Sequence, residues 1–326
     1  MSAPTRDRML PLRAMDPSLE VYEERLTAIC PVAMRRRVTT RGVEIDSVPD
    51  GKLVSVVTVT YNSGATLERT IRSVMDQSYE HVEYVIIDGG STDATVNIIR
   101  RYEGRLSYWH SYRDEGISDA FNLGIAAARG DFVALVNSDD WMSLDQVEKG
   151  MRALASCDAS FVFGRLAYHE PDGRLIYILE GDPAYRHSVR HRMPGVNHAT
   201  MVVRRAAYAK VGLFDTSRRI AMDYDWLLRA ELSGHFGVYE PSLLGHMTEG
   251  GVCFENWADG LREVRDSAIF HGQPAWPARW QCSIRLVRGH LRDFLRRTVP
   301  KPVVDGLHRW VNPSYRPASS SVPEER

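Results

Sequence analysis

The chain has 326 residues and a formal net charge of -1, with 44% hydrophobic and 25% charged residues. This composition is that of a globular protein that buries a core. The near-neutral charge argues against a general nucleic-acid binder, which carries a marked basic excess. The four cysteines (Cys30, Cys157, Cys253 and Cys282) are scattered and form no CxxC pair. They therefore favour neither a zinc site nor a disulfide scaffold, and they fit a reducing cytoplasmic setting.

The N-terminal sequence has basic residues but no continuous apolar stretch of the kind that makes a secretory signal. No apolar run approaches the length of a membrane span. We therefore expect a protein that is soluble or lies on a membrane surface. The composition of the sequence changes sharply at Lys52, from Arg- and Pro-rich to β-branched and apolar. Four segments are predicted: an N-terminal extension (1–51) with a helical patch at 19–29, an α/β domain (52–252), a basic amphipathic helical segment (253–316) and a disordered tail (317–326).

Strands and amphipathic helices alternate in the first half of the domain. Residues 53–59 are β-branched and apolar and end in a turn, and residues 65–77 place apolar side chains on one helical face. The later elements follow the same rule, with strands at 82–87, 106–109, 131–136, 161–169, 175–179 and 199–203, and helices after residue 93 and at 117–128, 206–211 and 224–232. This alternation predicts a mostly parallel, Rossmann-like sheet with helices on both faces.

Three of these strands end in polar, turn-forming residues. They are Thr60-Tyr61-Asn62, Asp88-Gly89-Gly90 and Asn137-Ser138-Asp139-Asp140. In open parallel sheets, ligands bind in the crevice beyond the carboxyl ends of the strands. The three clusters are therefore expected to converge on one rim, which is the predicted ligand site.

The pair Asp139-Asp140 allows two interpretations. Adjacent carboxylates after an apolar strand repel one another unless a cation or solvent screens them. A hard divalent ion such as Mg²⁺ or Mn²⁺ takes one or two carboxylates and completes its shell with waters and phosphate oxygens. The alternative is a solvated turn with a helix cap near Asp139, because paired acids are common in turns.

Several longer stretches carry a family resemblance. They are VSVVTVTYNS, QSYEHVEYVIIDGGSTDATVNII, DEGISDAFNLGIAAARGDFVALVNSDD, VNHATMVVRRAAYAKVGLFD and AMDYDWLLRAELSG. In order and content they resemble glycosyltransferase family 2, which has the GT-A fold, over residues 53 to 252. The resemblance implies an inverting enzyme that moves a sugar from a nucleotide-diphosphate sugar to a glycan or lipid-linked acceptor in surface polysaccharide synthesis, using Mn²⁺ or Mg²⁺.

The resemblance also implies a role for individual residues. Those expected to bind the nucleotide are Val59, Thr60, Tyr61, Asp88, Asp114, Asn122 and Asp139. Asp140 is the expected metal ligand. Asp223 matches the catalytic carboxylate that takes the proton of the acceptor hydroxyl, and Asp225 is its rival two positions along the same helix. Both acids also suit the first turn of a helix, where Asp acts as a cap or favours the dipole.

Two histidines and three departures complete the candidate site. His198 is interpreted as an acceptor or diphosphate contact or as a structural residue. His246 is interpreted as a loop residue or extra metal ligand before the glycines of a mobile loop at 247–251. Gly89 stands where many relatives have a second acid, Asn137 where the metal motif has its first acid, and Glu115 where related sequences carry lysine.

The C-terminal segment combines arginines with apolar residues at helical spacing, among them Trp280, Ile284, Val287, Leu291 and Leu295. Such a helix either lies on the inner face of an anionic membrane or packs its apolar stripe on the domain. Two other functions remain open. A nucleotidyltransferase normally has a Gly-rich, basic phosphate loop after its first strand, which Tyr61-Asn62-Ser63-Gly64 does not provide. A catalytically degenerate nucleotide-sugar-binding protein is the non-enzymatic alternative.

Overall fold

The computed structural model describes residues 18–29, 36–250, 256–298 and 315–317. Its helices are α1 (Leu19–Ile29), α2 (Leu67–Met75), α3 (Thr95–Tyr102), α4 (Ile117–Ala127), α5 (Gln146–Ala155), α6 (Tyr185–Ser188), α7 (Arg205–Val211), α8 (Met222–Leu232), α9 (Trp257–Phe270) and α10 (Ala275–Thr298). Its strands are β1 (Val54–Thr60), β2 (Val82–Asp88), β3 (Tyr108–Ser111), β4 (Phe132–Asn137), β5 (Trp141–Met142), β6 (Phe161–His169), β7 (Leu175–Leu179), β8 (Val202–Arg204), β9 (Gly237–Thr248) and β10 (Tyr315–Pro317).

Within these ranges, no helix combines the length and the apolar character needed to cross a membrane. The predicted tail from residue 318 onward and residues 299–314 of the predicted basic segment lie outside the described residues.

The strands form one sheet with the order β10-β7-β6-β8-β4-β1-β2-β3, and β9 pairs with β6 and β5. The pairs β1–β2, β1–β4 and β2–β3 are parallel, whereas β8 runs antiparallel between β4 and β6. Strands β1 to β4 thus lie side by side in the order β3-β2-β1-β4. The chain therefore adds strands on one side of β1 and then on the other. The crevice beyond the carboxyl ends of β1 and β4 is the point where that direction switches. The predicted mostly parallel α/β sheet is confirmed.

The sheet carries a separate apolar core on each face. Val57 and Val59 of β1 point towards α1, α4 and α8, whereas Val54 and Val56 point towards α2, α3 and α5. Every residue of β1 and β2 is buried. Strands buried on both faces need apolar side chains at successive positions, which explains why these segments read as continuous apolar runs rather than as alternating ones.

Helix α4 packs unusually close to β1. A Cβ atom on Gly124 would lie 2.2 Å from Cγ1 of Val57, so only glycine permits this approach. The amino end of α4, with Gly116 and Ile117, is thereby held beside the carboxyl ends of the parallel strands. This is the predicted position of the ligand site.

The predicted N-terminal extension is packed against the domain in the described residues. Tyr22 and Leu26 of α1 are buried, and the Tyr22 hydroxyl donates a hydrogen bond to Oδ1 of Asp119 on α4 at 2.6 Å. Arg25 pairs with the same carboxylate oxygen at 2.6 Å. Further along, the Thr40 backbone N–H donates to the Val82 carbonyl at 2.7 Å. Helix α1 therefore completes one of the two cores.

Strand β9 was not predicted from the sequence. It spans twelve residues, Gly237–Thr248, and covers the beginning of the stretch at 247–251 that we expected to be a mobile loop. Its last part pairs with β5, with Trp141 opposite His246. This pairing brings the end of β9 next to the acidic turn that follows β4.

Candidate active site

A cavity of about 1020 Å³ opens beyond the carboxyl ends of β1, β2 and β4. This volume is at the upper end of the range for sites that bind small molecules. Six of the residues proposed from the sequence line it: Val59, Thr60, Tyr61, Asp114, Asp139 and Asp140. The three polar strand ends were predicted to converge on one rim of the sheet. In the folded chain this rim forms a concave site.

Asp140 lies in the wall of this cavity and is 1% exposed. The Asn137 amide donates to its Oδ2 at 3.0 Å, and the backbone N–H of Thr248 donates to its Oδ1 at 3.4 Å. Burial, followed by the charge of Asp139, raises the pKa of Asp140 to about 8. The positive charge of Arg69 lowers the pKa of Asp140, but by less than burial and Asp139 raise it.

The residues around Asp140 fit a hard divalent cation. Oδ1 of Asn137 is buried and has no hydrogen-bond partner in the described part of the chain, and the Asp139 carboxylate is adjacent. Carboxylate and amide oxygens are the ligands that Mg²⁺ and Mn²⁺ take, with phosphate and water completing the shell. No group of three or more His, Cys, Asp or Glu side chains gathers as a metal site among the described residues.

Arg69 of α2 ties the acidic turn to the end of β9. Its guanidinium donates to the Asp139 carbonyl at 2.9 Å and to Oγ1 of Thr248 at 2.8 Å. The same group lies 3.8 Å from the centroid of the Trp141 ring. Thr248 in turn donates from Oγ1 to the Asp139 carbonyl at 2.9 Å. The acidic turn is therefore fixed by side chains from two other elements.

His246 supports this arrangement from behind. Its ring is stacked on Trp141 at 5.0 Å between centroids, and both ring nitrogens have partners. Nε2 lies 2.9 Å from Oγ of Ser143, and Nδ1 lies 3.0 Å from Nε2 of His169. Burial lowers the pKa of His246 to about 4. His246 does not line the cavity, and its nitrogens are engaged within the protein.

Asp88 shapes the turn after β2 and does not line the cavity. Its buried carboxylate accepts hydrogen bonds from the backbone N–H groups of Gly90 and Ser91 at 3.2 and 2.9 Å. It also accepts from the hydroxyl of Ser111, at the end of β3, at 2.5 Å. Asp88 thus holds the ends of two strands together beneath the site.

Asp114 takes the space in front of Gly89. A Cβ atom on residue 89 would lie 2.7 Å from Oδ2 of Asp114. Oδ1 of Asp114 accepts from the Gly116 backbone N–H at 2.9 Å, which fixes the carboxylate at the amino end of α4. Burial raises the pKa of Asp114. A carboxylate from the turn after β3 therefore occupies the space next to position 89.

Asp223 lies in the first turn of α8 and is half-buried. Burial, with a smaller contribution from Glu263, raises its pKa to about 6. Asp223 is not itself in the cavity wall. Its neighbour Met222, however, contacts the Ser118 hydroxyl of α4 through its sulfur at 3.1 Å. The first turn of α8 therefore contacts α4 one residue away from Ile117, which lines the cavity.

Comparison with known proteins agrees with this geometry. Residues 55–212 match the model of glycosyl transferase family 2. An uncharacterized glycosyltransferase of Mycobacterium tuberculosis is 33% identical over 187 residues, which cover 55% of this chain and 69% of that protein. The chain belongs to glycosyltransferase family 2.

Two further comparisons bear on the family 2 chain. The Bacillus subtilis glycosyltransferase TuaG, named for teichuronic acid biosynthesis, is 35% identical over 124 residues, 37% of this chain. The chain spans about half the length of several such curated relatives, 49% in the case of TuaG. The mannosyltransferase PcManGT of Pyrobaculum calidifontis, solved with GDP-Man and Mn²⁺, superposes with a TM-score of 0.54 at 15% identity, over 90% of this chain and 87% of that one. The expected GT-A fold is thus confirmed.

Besides Asp88, Asp223 and His246, three further predicted residues of the family 2 domain do not line the cavity. Asp225 is buried and accepts from Arg229 at 2.8 Å, Ser267 at 2.6 Å and His271 at 3.1 Å. Burial alone would raise its pKa, but His271 and Arg229 hold the pKa well below its usual range. Its carboxylate is fully engaged in joining α8 to α9.

Asn122 and His198 also have structural surroundings. The Asn122 amide donates to the Phe214 carbonyl at 2.8 Å and accepts from its N–H at 2.9 Å. The His198 ring packs edge-on against Phe121 and Phe214, both at 5.9 Å, and burial lowers its pKa to about 4. Neither side chain lines the cavity.

Sequence reasoning missed Arg69 and Thr248. Arg69 is one of several cations on an amphipathic helix, and nothing local distinguishes it from its exposed neighbour Arg72. Thr248 falls in a segment interpreted as a loop. The roles of Arg69 and Thr248 become visible only through the pairing of β5 with β9. This pairing joins residues more than a hundred positions apart.

Proposed function

We propose that this chain transfers a sugar from a nucleotide-diphosphate sugar to a hydroxyl group of a glycan or lipid-linked acceptor, with inversion at the anomeric carbon. The observation that carries the proposal is the turn Asn137–Asp140 in the wall of the cavity at the switch point of the sheet. Such a turn combines buried carboxylates with a site large enough for a nucleotide sugar.

The donor nucleotide is assigned to the β1–β3 side of the cavity. Val59, Thr60 and Tyr61 line this side, and Tyr61 is 63% exposed, so its ring is free to pack against a base. Asp114 offers carboxylate oxygens to N–H groups of the base or hydroxyl groups of the ribose. Asp88 serves this site indirectly, by holding the turn in shape.

A divalent cation is assigned to Asp140, with Asp139 and Asn137 beside it. The ion would neutralise the diphosphate as charge develops on the leaving group. Arg69 and Thr248 position the acidic turn for this role through the Asp139 carbonyl.

Asp223 is assigned as the general base. Its carboxylate would accept the proton of the acceptor hydroxyl while the hydroxyl oxygen bonds to the anomeric carbon. In the same displacement the bond from that carbon to the phosphate oxygen breaks, and the nucleoside diphosphate leaves with the electron pair. A raised pKa of about 6 supports this role, because the best base has a pKa near the working pH. Asp225 is the weaker candidate, since its oxygens are engaged by Arg229, Ser267 and His271.

A role in surface polysaccharide synthesis is the finer part of the proposal. The likeness to a relative named for teichuronic acid biosynthesis supports it. The same likeness supports an acceptor that is a glycan or a lipid-linked glycan.

The test is a screen of UDP-, GDP- and dTDP-sugars for binding by calorimetry and for slow donor hydrolysis, with and without Mn²⁺. We expect one donor class to bind in an Mn²⁺-dependent manner and Asp140→Asn to abolish this dependence. Asp158→Asn, an exposed acid outside the cavity, is the matched control.

The outcomes separate the alternatives. Binding without hydrolysis or transfer, under all donor and acceptor conditions, would indicate a degenerate binding protein. Formation of a nucleotide sugar from a nucleoside triphosphate and a sugar phosphate would indicate a nucleotidyltransferase. An Asp140→Asn protein with unchanged Mn²⁺-dependent binding would overturn the metal assignment alone.

A further inference from the structure

Helix α10 carries its apolar side chains on the side that faces away from the protein. Trp276 and Trp280 are 73% and 57% exposed, and Val287 and Leu291 are 68% and 54% exposed. At 3.6 residues per turn these four positions fall within about 60° of one another around the helix. They form a row about 22 Å long, since each residue adds about 1.5 Å along the axis.

The opposite side of α10 contacts the protein through small residues. Ala278 and Cys282 are 7% and 5% exposed, and the Cys282 thiol lies 3.5 Å from the Leu261 carbonyl of α9. A Cβ atom on Gly289 would lie 2.2 Å from the Trp257 ring. The helix is therefore docked by its small side chains, and the large apolar row is not the surface that packs on the domain.

The charges of α10 fit an anionic surface. No acidic residue occurs from Ala275 to Leu291, and Arg279 and Arg288, on either side of the apolar row, are exposed. The two tryptophan rings are stacked at 5.9 Å between centroids, so they present one continuous aromatic face. Tryptophan is enriched where a protein meets the headgroup region, because the ring is apolar and its N–H is polar.

We infer that α10 binds flat on an anionic lipid bilayer, with Trp276, Trp280, Val287 and Leu291 inserted at the headgroup boundary and Arg279 and Arg288 against lipid phosphates. A straight, convex row about 22 Å long suits a flat surface better than a groove for a peptide. The apolar face supplies insertion, and the cations supply selectivity for anionic lipid. This surface would bring the enzyme to a membrane-bound acceptor, but the binding itself does not depend on the proposed transferase reaction.

The experiment uses the full-length protein and vesicles of phosphatidylcholine with or without phosphatidylglycerol. We expect cosedimentation with the anionic vesicles, and quenching of tryptophan emission by lipids brominated near the headgroup. The triple variant Trp276→Ser, Trp280→Ser, Leu291→Ser should bind about 100-fold more weakly or worse, because three inserted side chains are lost. Leu144→Ser, which removes a side chain that is also 57% exposed, should bind as the wild type does.

A second variant pair tests the charges, and a second measurement tests the fold. Arg279→Glu with Arg288→Glu should weaken binding to anionic vesicles about tenfold or more while leaving any binding to neutral vesicles unchanged. Circular dichroism and donor binding should be unchanged in all variants, since every altered side chain is exposed. The inference would be overturned if the wild-type protein bound neither type of vesicle, or if the triple variant bound as the wild type does. Dimerisation in analytical ultracentrifugation that the triple variant abolishes would overturn it too, and would identify a second copy of the chain as the occupant.

Discussion

A methyl group on residue 89 is predicted to weaken nucleotide binding. In Gly89→Ala the new Cβ would lie 2.7 Å from Oδ2 of Asp114, whereas ordinary contact begins at 3.4 Å. Oδ2 must therefore move by 3.4 - 2.7, or about 0.7 Å, which displaces the carboxylate from the position in which its Oδ1 accepts the 2.9 Å hydrogen bond from Gly116. Hydrogen bonds to charged groups contribute about 1.5–3 kcal/mol. The expected loss of affinity is thus about 10- to 150-fold.

The assay is calorimetric titration of the donor nucleoside diphosphate into wild-type and variant proteins at fixed Mn²⁺. Gly104→Ala is the control, because its Cβ would meet nothing closer than 3.9 Å. The exchange Gly89→Asp with Asp114→Gly removes the clash and returns a carboxylate to the same place, so it should recover most of the affinity that Gly89→Asp loses. An unchanged dissociation constant for Gly89→Ala, or an exchange variant no better than Gly89→Asp, would refute the reasoning.

Three further changes test other parts of the site. Asp223→Asn should lower kcat about 10²- to 10⁴-fold and leave donor affinity intact, and wild-type kcat should fall tenfold per pH unit below about 6, where the carboxylate takes up its proton; a flat pH profile down to 5 would contradict this. Arg69→Met should weaken Mn²⁺-dependent donor binding about tenfold through two lost hydrogen bonds, and Arg72→Met on the same helix should not. Asp225→Asn should lower the free energy of unfolding in urea by about 3–5 kcal/mol, because it leaves Arg229 buried without its partner. Since its folded-state pKa is depressed, the stability from Asp225 is present above the unfolded pKa of about 3.9 and is lost as the pH falls further.

The parallel half of the fold could be predicted because its signals are local. Strands β1, β2 and β4 are buried on both faces, which forces continuous apolar runs, and their polar ends then mark one rim. Strand β9 was missed because it contains Pro241 and is mostly half-exposed, so it has neither a continuous apolar run nor a clean alternation. Helix α1 was recognised as helical, but its docking on Asp119 depends on a contact between residues 97 positions apart.

The part of the site that is built from residues at the ends of strands could be predicted from the sequence. Asp139, Asp140 and Tyr61 line the cavity as their positions at strand ends suggested, and Asp114, which only the family resemblance implied, lines it too. The residues alone did not distinguish Asp223 from Asp225, because both are acids in the first turn of one helix, and only the family resemblance favoured Asp223. Two of the three partners of Asp225, Ser267 of α9 and His271 just after it, lie outside the family motif. The proximity of Gly89 and Asp114 likewise could not be predicted from the sequence, because the two residues are 25 positions apart and meet only in the folded chain.

The docking of α1 means that the autonomous folding unit is larger than the segment shared with the family. A fragment starting at residue 52 would leave the Asp119 carboxylate in a low-dielectric site without Arg25 or Tyr22. It would also expose to water the apolar surface of α4 against which Leu26 packs. A fragment ending at residue 212 would also remove α8, and with it the general base proposed here. Truncation to the recognisable domain boundaries is therefore expected to yield an aggregating product. The helical flanks at both ends are therefore expected to unfold in the same cooperative transition as the sheet.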